Sequence, residues 1–134
     1  MAVDGLTTLR SSFGPRETMN KLEVEVKAKG MMVLARIDHA AGAAGVGLSL
    51  RPTEVLIFGD ARAGTPLMQF SQTIGIDLPL RALAWQDDLG HTWLSYNDPH
   101  WLAKRHGLDD ASAAAVKGLA GALEGLAQAA ASAK

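Results

Sequence analysis

An aspartate and a histidine stand side by side at one point of this sequence, Asp38 and His39. A carboxylate can orient an imidazole for acid–base chemistry or for metal binding, so this pair is the first candidate site. Neighbours in a strand point to opposite faces, and the two side chains can share a ligand only if the strand has ended. The alternative is a turn in which the aspartate accepts backbone hydrogen bonds and the histidine is packed or solvated.

A glycine-bearing segment from Gly59 to Thr65 is the second candidate, because it joins an apolar stretch to a helix start. Such loops can hold an anion at a helix N-terminus. No Lys-Ser or Lys-Thr pair follows Gly64, so the segment is not a phosphate-binding P-loop. The alternative is a tight connection that needs glycine only for its geometry.

The histidines form no metal-binding pattern. His100 and His106 are six residues apart and share no helical face, and neither an HxH nor an HExxH spacing occurs. A metal site would need distant segments, for instance His39 with His106 and Asp60. We therefore predict no metal site, and nothing in the sequence identifies a cofactor.

Covalent catalysis has little support in the sequence. The chain has no cysteine, and none of its serines lies in a Gly-x-Ser-x-Gly elbow. An enzyme built on this sequence would use His39 or His106 as the acid or base, oriented by Asp38.

Composition limits the class of protein. The chain has 134 residues, a net charge of −1 and 48% hydrophobic residues, which predicts one globular domain spanning 1–134. A near-neutral charge disfavours binding to nucleic acid or to an acidic membrane surface. No apolar run approaches the roughly 20 residues of a membrane helix, and the first residues do not resemble a signal peptide. We expect a soluble, cytoplasmic protein.

The order of elements predicts the fold. A strand near residues 6–11 precedes a helix from Pro15 to a stop at Gly30, and strands follow at Met31–His39 and Glu54–Phe58. Thr65-Pro66 is typical of a helix start. The remaining elements are a short possible strand at Leu48–Leu50, a hairpin of Leu80–Gln86 and His91–Tyr96, a short helix after Asp98, and a last helix with the stripe Val116, Leu119, Leu123 and Leu126.

This order is typical of an α+β sandwich: strand, helix, four to five strands, then helix. Its sheet is antiparallel-rich, and its helices lie on one face. The segment Ala40–Gly47 could be a loop or a short helix, and the alanine-rich tail from Ala127 is expected to fray. Ile57, in the most apolar strand, is expected to be a core residue.

The hairpin predicts a surface for assembly. Pairing Gln86 with His91 places Trp85 and Leu94 on one face, and Ala84 and Trp93 on the other. Trp93 beside small alanines would form a shallow apolar patch, and a two-fold contact lets one such patch serve both subunits. We therefore expect a homodimer with Trp93 or its sheet neighbours at the interface.

Several separated motifs resemble one known family. They are Ile37-Asp38-His39, Leu50-Arg51-Pro52-Thr53, Leu56-Ile57-Phe58-Gly59, Gly64-Thr65-Pro66-Leu67-Met68, Asp77-Leu78-Pro79-Leu80, Trp85, Trp93, Tyr96 and Arg105-His106-Gly107. Together they resemble the DUF302 family, a domain of unknown function with the TT1751-like fold, over about Leu6 to Leu126. The resemblance implies a topology similar to the TATA-binding-protein half-domain, and it implies homodimers. One departure is Asp60-Ala61, where relatives often carry Asn-Pro.

These observations lead to one main hypothesis and two alternatives. The main hypothesis is a homodimeric ligand-binding or regulatory module that holds a small polar or anionic molecule. Its ligand-binding residues would be Asp38, His39, Arg51, Asp60 and Thr65. The alternatives are an enzyme of unknown reaction with the catalytic candidates Asp38, His39 and His106, and a pure protein-interaction module.

Overall fold

The computed structural model describes residues 2–133 and contains five strands and five α-helices. The strands are β1 (Leu6–Arg10), β2 (Met32–Asp38), β3 (Thr53–Gly59), β4 (Leu80–Gln86) and β5 (Thr92–Asn97). The helices are α1 (Pro15–Ala28), α2 (His39–Gly45), α3 (Ala61–Phe70), α4 (Pro99–Arg105) and α5 (Ala113–Ala131). Two 3₁₀ helices, Gln72–Asp77 and Asp110–Ser112, precede β4 and α5.

The strands form one antiparallel sheet in the order β1-β5-β4-β3-β2. Helices α1 and α5 pack together on one face of it, and the main core lies between them and the sheet. Met19 and Leu22 of α1 and Leu126 of α5 are almost fully buried there. The predicted α+β class, with an antiparallel sheet and helices on one face, is therefore confirmed.

The end of α5 belongs to this core. Ala127, Ala130 and Ala131 are at most 3% exposed and pack in the main cluster. The expectation that the alanine-rich tail frays from Ala127 is therefore wrong. The small alanine side chains let α5 approach its neighbours closely. Helix propensity alone does not predict this packing.

Strand β2 contains a bulge that exchanges its two faces. Val33 pairs with Phe58, but the next paired residue, Ala35, meets Ile57, and so Leu34 is the extra residue. Strict alternation would have placed Val33, Ala35 and Ile37 on one face. The bulge instead turns Ala35 and Ile37 away from the helices.

The bulge also points Arg36 toward the helices, where an ion-pair network receives it. Its Nε donates to Glu54 Oε1 over 2.8 Å, and its Nη1 donates to Asn20 Oδ1 over 2.7 Å and to Glu23 Oε1 over 3.3 Å. Glu54 is only 8% exposed, so its charge needs this partner. The network ties β2 and β3 to α1.

The β4–β5 hairpin has a register one residue away from the predicted one. Gln86 pairs with Thr92, and Trp85 therefore faces Trp93. The connection has five residues because Asp87 Oδ1 accepts hydrogen bonds from the backbone N–H groups of Leu89 and His91. Gly90 completes it with a positive φ of 82°. The predicted pairing of Gln86 with His91 is wrong.

The start of α3 and one short strand also differ from the prediction. Helix α3 begins at Ala61, capped by Asp60, whose Oδ1 accepts from the Arg62 N–H over 2.9 Å; Thr65 and Pro66 lie inside it. The segment Ala40–Gly47, left undecided by its sequence, forms most of α2. Leu48–Leu50 is not a strand.

Strand β3 gives a direct test of the two sheet faces. Leu56 is fully buried against the helices, whereas Ile57 is half-buried on the opposite face, so the expectation of Ile57 as a core residue needs correction. Leu56→Ala should lower the free energy of unfolding by about 2–5 kcal/mol. Ile57→Ala, measured by urea denaturation at the same low protein concentration, should cost clearly less. Equal losses would mean that both faces are packed within one chain.

Candidate functional site

Asp38 is hydrogen-bonded to the backbone of α2 rather than to His39. Asp38 Oδ1 accepts from the Ala41 N–H over 2.9 Å and so caps α2, and its other oxygen lies 3.7 Å from the Arg16 guanidinium. His39 is the first residue of α2 and is exposed. The capped turn, which was the alternative interpretation of this pair, is what the structure shows.

Asp60 lies at the other end of the same strand pair. Asp38 pairs with Glu54 at the start of β3, whereas Asp60 follows Gly59 at its end. At about 3.3 Å per residue, the two aspartates are separated by about 20 Å. Antiparallel pairing thus prevents them from lining one small pocket.

The remaining predicted ligand-binding residues divide between these two ends. Arg51 Nε donates to the Gln86 carbonyl over 3.1 Å, which places it toward the Asp38 end. Thr65 is exposed within α3, toward the Asp60 end. Ligand binding by these residues remains a prediction, but one small molecule could not contact all of them.

Asp60 is already paired at its end of the sheet. The Arg62 guanidinium lies 3.0 Å from Asp60 Oδ2. Hydrogen bonds from the Arg62 side chain, and then from its backbone N–H, hold the pKa of Asp60 below its usual value. The carboxylate therefore stays ionised and needs no cationic ligand.

A cavity of about 290 Å³ opens beside Asp60. It lies where the ends of β2 and β3 meet α3, the segment before β4 and α5, and its lining is almost wholly apolar. The lining residues are Met31, Met32, Leu34, Gly59, Asp60, Ala61, Ala63, Gly64, Met68, Gly75, Leu78, Pro79, Leu80 and Leu119. Such a cavity is suited to a small apolar molecule.

Small residues allow the cavity walls to come close together. A Cβ at Gly75 would lie 3.2 Å from Met68 Sδ, and one at Gly59 would lie 3.4 Å from Pro79 Cβ. The thioethers of Met31, Met32 and Met68 form much of the remaining wall, and methionine adapts readily to differently shaped ligands.

His106 forms a hydrogen-bonded cluster next to this cavity. Its Nε2 lies 2.5 Å from Asp77 Oδ2, and its Nδ1 lies 2.9 Å from Thr73 Oγ1. Because a carboxylate only accepts, Nε2 carries the proton, and in the neutral ring Nδ1 accepts from the threonine hydroxyl. The Arg105 guanidinium also donates to both Asp77 oxygens.

This cluster joins α4 to the 3₁₀ helix before β4 and uses both ring nitrogens of His106. Neither nitrogen is left for a metal ion, and His39, His106 and Asp60 are not brought together. Among residues 2–133 no group of three or more His, Cys, Asp or Glu side chains is placed to hold a metal. Acid–base catalysis by His106 stays a prediction, with Asp77 rather than Asp38 as its partner.

The comparisons with known proteins identify the family. The family model described as "Domain of unknown function DUF302" matches residues 7–126. The chain belongs to the DUF302 family.

A solved structure and two curated proteins resemble this DUF302 chain. The crystal structure titled "uncharacterized conserved protein DUF302 from Bacillus stearothermophilus" matches with a TM-score of 0.84 and 20% identity, covering 96% of this chain and 99% of that one. Proteins named "Fluoride-specific ion channel FluC 1" from Brucella suis biovar 1 (strain 1330) and Brucella abortus biovar 1 (strain 9-941) are each 50% identical over 115 residues.

The match to the Brucella proteins covers only part of them. It spans 86% of this chain but 45% and 43% of the two relatives, so the chain matches less than half the length of either. None of the helices described for residues 2–133 is both long and apolar enough to cross a membrane.

The open face of the sheet is the second feature of this DUF302 domain. On the side opposite α1 and α5, strands β3, β4 and β5 present half-buried apolar side chains that do not belong to the main core. They are Val55, Ile57, Leu83, Trp85 and Trp93. The two indole rings pack with centroids 6.3 Å apart, and Arg10 lies 5.7 Å from the Trp93 centroid.

Both indole nitrogens are already satisfied on this face. Trp85 Nε1 donates to Ser95 Oγ, and Trp93 Nε1 donates to Asp87 Oδ2, each over 2.9 Å. The indole hydrogen bond is the largest cause of the lowered pKa of Asp87. The face could therefore be covered without leaving an indole N–H unpaired.

Sequence reasoning missed Asp77 and Thr73 as partners of His106. Asp77 and His106 both occur in motifs quoted for the family resemblance, but they are 29 residues apart, and no short spacing links them. Only the packing of α4 against the segment before β4 brings them together.

Asp77→Ala should lower the free energy of unfolding by about 1–3 kcal/mol, because it leaves the His106 side chain, 7% exposed, without its acceptor. Thermal and urea denaturation provide the measurement. Asp110→Ala is the matched control: this exposed aspartate has no described ion pair, and its loss should change stability by less than about 0.5 kcal/mol. Similar effects for the two variants would contradict a structural role of the cluster.

Proposed function

We propose that this DUF302 chain is a homodimeric module that binds a small apolar ligand in the cavity beside Asp60. The observation that carries the ligand-binding part is the cavity lining, in which thirteen of the fourteen residues are apolar or glycine. The fourteenth, Asp60, is paired with Arg62. A neutral apolar molecule therefore fits this site better than the polar or anionic ligand predicted from the sequence.

The size of the cavity limits the ligand. About 290 Å³ is near the lower end of small-molecule sites. A compact aromatic or branched aliphatic molecule fits such a volume, and most of its surface would be removed from water. Burial of apolar area supplies the affinity, and the methionine side chains adjust to the ligand's shape.

The cavity can be tested with N-phenyl-1-naphthylamine, a neutral probe whose fluorescence rises in an apolar environment. We expect a saturable rise with the wild-type protein. Leu34→Glu places a charge at the cavity mouth on a side chain that is 52% exposed, and it should weaken binding at least about tenfold without unfolding the chain.

Val24→Glu is the matched control for this experiment. Val24 is an aliphatic residue of α1, 65% exposed, and it does not line the cavity. It should bind the probe as the wild type does. No saturable signal from the wild type, or equal weakening by both variants, would contradict binding in the cavity.

A second copy of this chain is the proposed partner of the open sheet face. A two-fold contact pairs like with like, and the face offers an apolar centre around Trp85 and Trp93 whose polar groups are already hydrogen-bonded. The net charge of −1 gives little long-range repulsion between copies. The family resemblance, which implies homodimers, supports the same assembly.

Sedimentation velocity at micromolar concentration should show a dimer for the wild type. Trp93→Glu introduces a charge into this apolar face and should produce a monomer, with a melting temperature that no longer rises with protein concentration. Phe70→Glu, at an aromatic residue of α3 that is 50% exposed, should leave the dimer intact. A wild-type mass near 14.1 kDa would contradict dimerisation.

The names of the Brucella relatives indicate the kind of longer protein in which such a module occurs. Those proteins are named as fluoride channels, and this chain matches less than half of their length. We propose that the matched part contributes ligand binding or regulation to the longer proteins and that fluoride conduction belongs to their remaining part. The predicted cytoplasmic location is part of the same proposal.

A further inference from the structure

A second cleft, of about 500 Å³, lies on the other side of α5 from the apolar cavity. Leu119 lines the cavity and Gly121 lines the cleft, and a step of two residues turns an α-helix by about 200°. The cleft is lined by several charged and polar side chains, whereas the cavity has only one, Asp60. Its lining residues are Thr7, Leu9, Tyr96, Asp98, Pro99, His100, Lys117, Ala120, Gly121, Glu124, Ala127 and Gln128.

Tyr96 forms the floor of the cleft. It is 8% exposed, and it pairs with Thr7 across β1 and β5. Burial raises the pKa of the phenol, and the negative charges of Glu124 and Asp98 raise it further. Both carboxylates therefore lie near a buried hydroxyl group at the base of the cleft.

One face of α5 forms a wall of the cleft. Lys117, Gly121, Glu124 and Gln128 recur at spacings of four, three and four residues, which places them on one side of the helix. A Cβ added at Gly121 would meet no atom within 4 Å, so the missing side chain leaves open space between Lys117 and Glu124. This accounts for one of the glycines that interrupt α5 at some cost in helix propensity.

Asp98 Oδ1 accepts from the His100 N–H over 3.0 Å and so caps α4, but the other ionisable side chains around this space are unengaged. Among the described residues, Lys117, Glu124 and the His100 ring form no hydrogen bond or ion pair. Lys117 and Glu124 are two helical turns apart, or about 10 Å along the axis, which is too far for direct pairing. A cation and an anion thus face one cleft without neutralising each other.

We propose that this cleft binds a small zwitterion, a molecule that carries an ammonium group and a carboxylate several bonds apart. The carboxylate of the ligand pairs with Lys117, and its ammonium group lies between Glu124 and Asp98. The Tyr96 hydroxyl contributes a neutral hydrogen bond from the floor. This site is independent of the apolar cavity and of dimerisation, and failure of either proposal leaves it in place.

The test uses ε-aminocaproate as the zwitterion, with caproate and hexylamine as probes that each lack one charge. Tyr96 is the single tyrosine of the chain, so tyrosine-selective isotope labelling gives one aromatic spin system that reports on the cleft. We expect ε-aminocaproate to shift it saturably and the other two probes to bind at least about tenfold more weakly. Equal binding of hexylamine or caproate, or no saturable shift, would overturn the proposal.

A pair of glycine variants locates the binding. Gly121→Leu fills the cleft with a good helix former and should abolish the shift. Gly118→Leu, on the same helix with equally open space but outside the cleft lining, should leave it unchanged. Isothermal titration of both folded variants measures the affinities directly. Retention of binding by Gly121→Leu, or its loss in Gly118→Leu, would place the ligand elsewhere and overturn the assignment.

Discussion

The connection between β4 and β5 determines which face of the sheet each side chain of the hairpin occupies. Asp87 accepts two backbone hydrogen bonds from Leu89 and His91, and these fix a five-residue loop. Since side chains alternate along a strand, a change of one residue in pairing would exchange the two faces. The observed register puts Leu94 and Tyr96 into the core and brings Trp85 and Trp93 together outside it.

The second constraint is the antiparallel order of the strands, which gives the sheet two chemically distinct ends. Asp38, His39 and Arg51 lie toward one end, where the aspartate caps a short helix. The apolar cavity lies at the other end, on one side of α5, and the polar cleft lies on the opposite side of that helix. Helix α5 thus separates two cavities whose linings differ in chemistry.

The partly buried polar clusters of the fold are consistent with structural roles. Arg36 reaches Glu54, Glu23 and Asn20, and His106 reaches Asp77 and Thr73, so each cluster ties neighbouring elements of the fold together. Removing one partner from such a cluster leaves the other partner as a desolvated polar group without its hydrogen bond. A histidine in the sequence is therefore not by itself evidence of acid–base catalysis, because its ring can belong to a structural cluster of this kind.

Local patterns were sufficient for the class of fold. The apolar run of β3, the proline at the start of α1 and the spacing of Val116, Leu119, Leu123 and Leu126 reflect interactions within a few residues, and the structure places strands and helices there. The family resemblance, carried by short motifs in order along the chain, was likewise readable from the sequence and is confirmed.

The tertiary structure decided what depends on pairing between distant segments. The bulge at Leu34, the hairpin register and the cap at Asp60 each change a face or a boundary by one to five residues, and local propensity hardly distinguishes such alternatives. The meeting of Asp77 with His106, and of Tyr96 with the α5 face around Gly121, joins residues that no short motif links. Which side chains share a site is set by packing over the whole core, because only the folded chain fixes those distances.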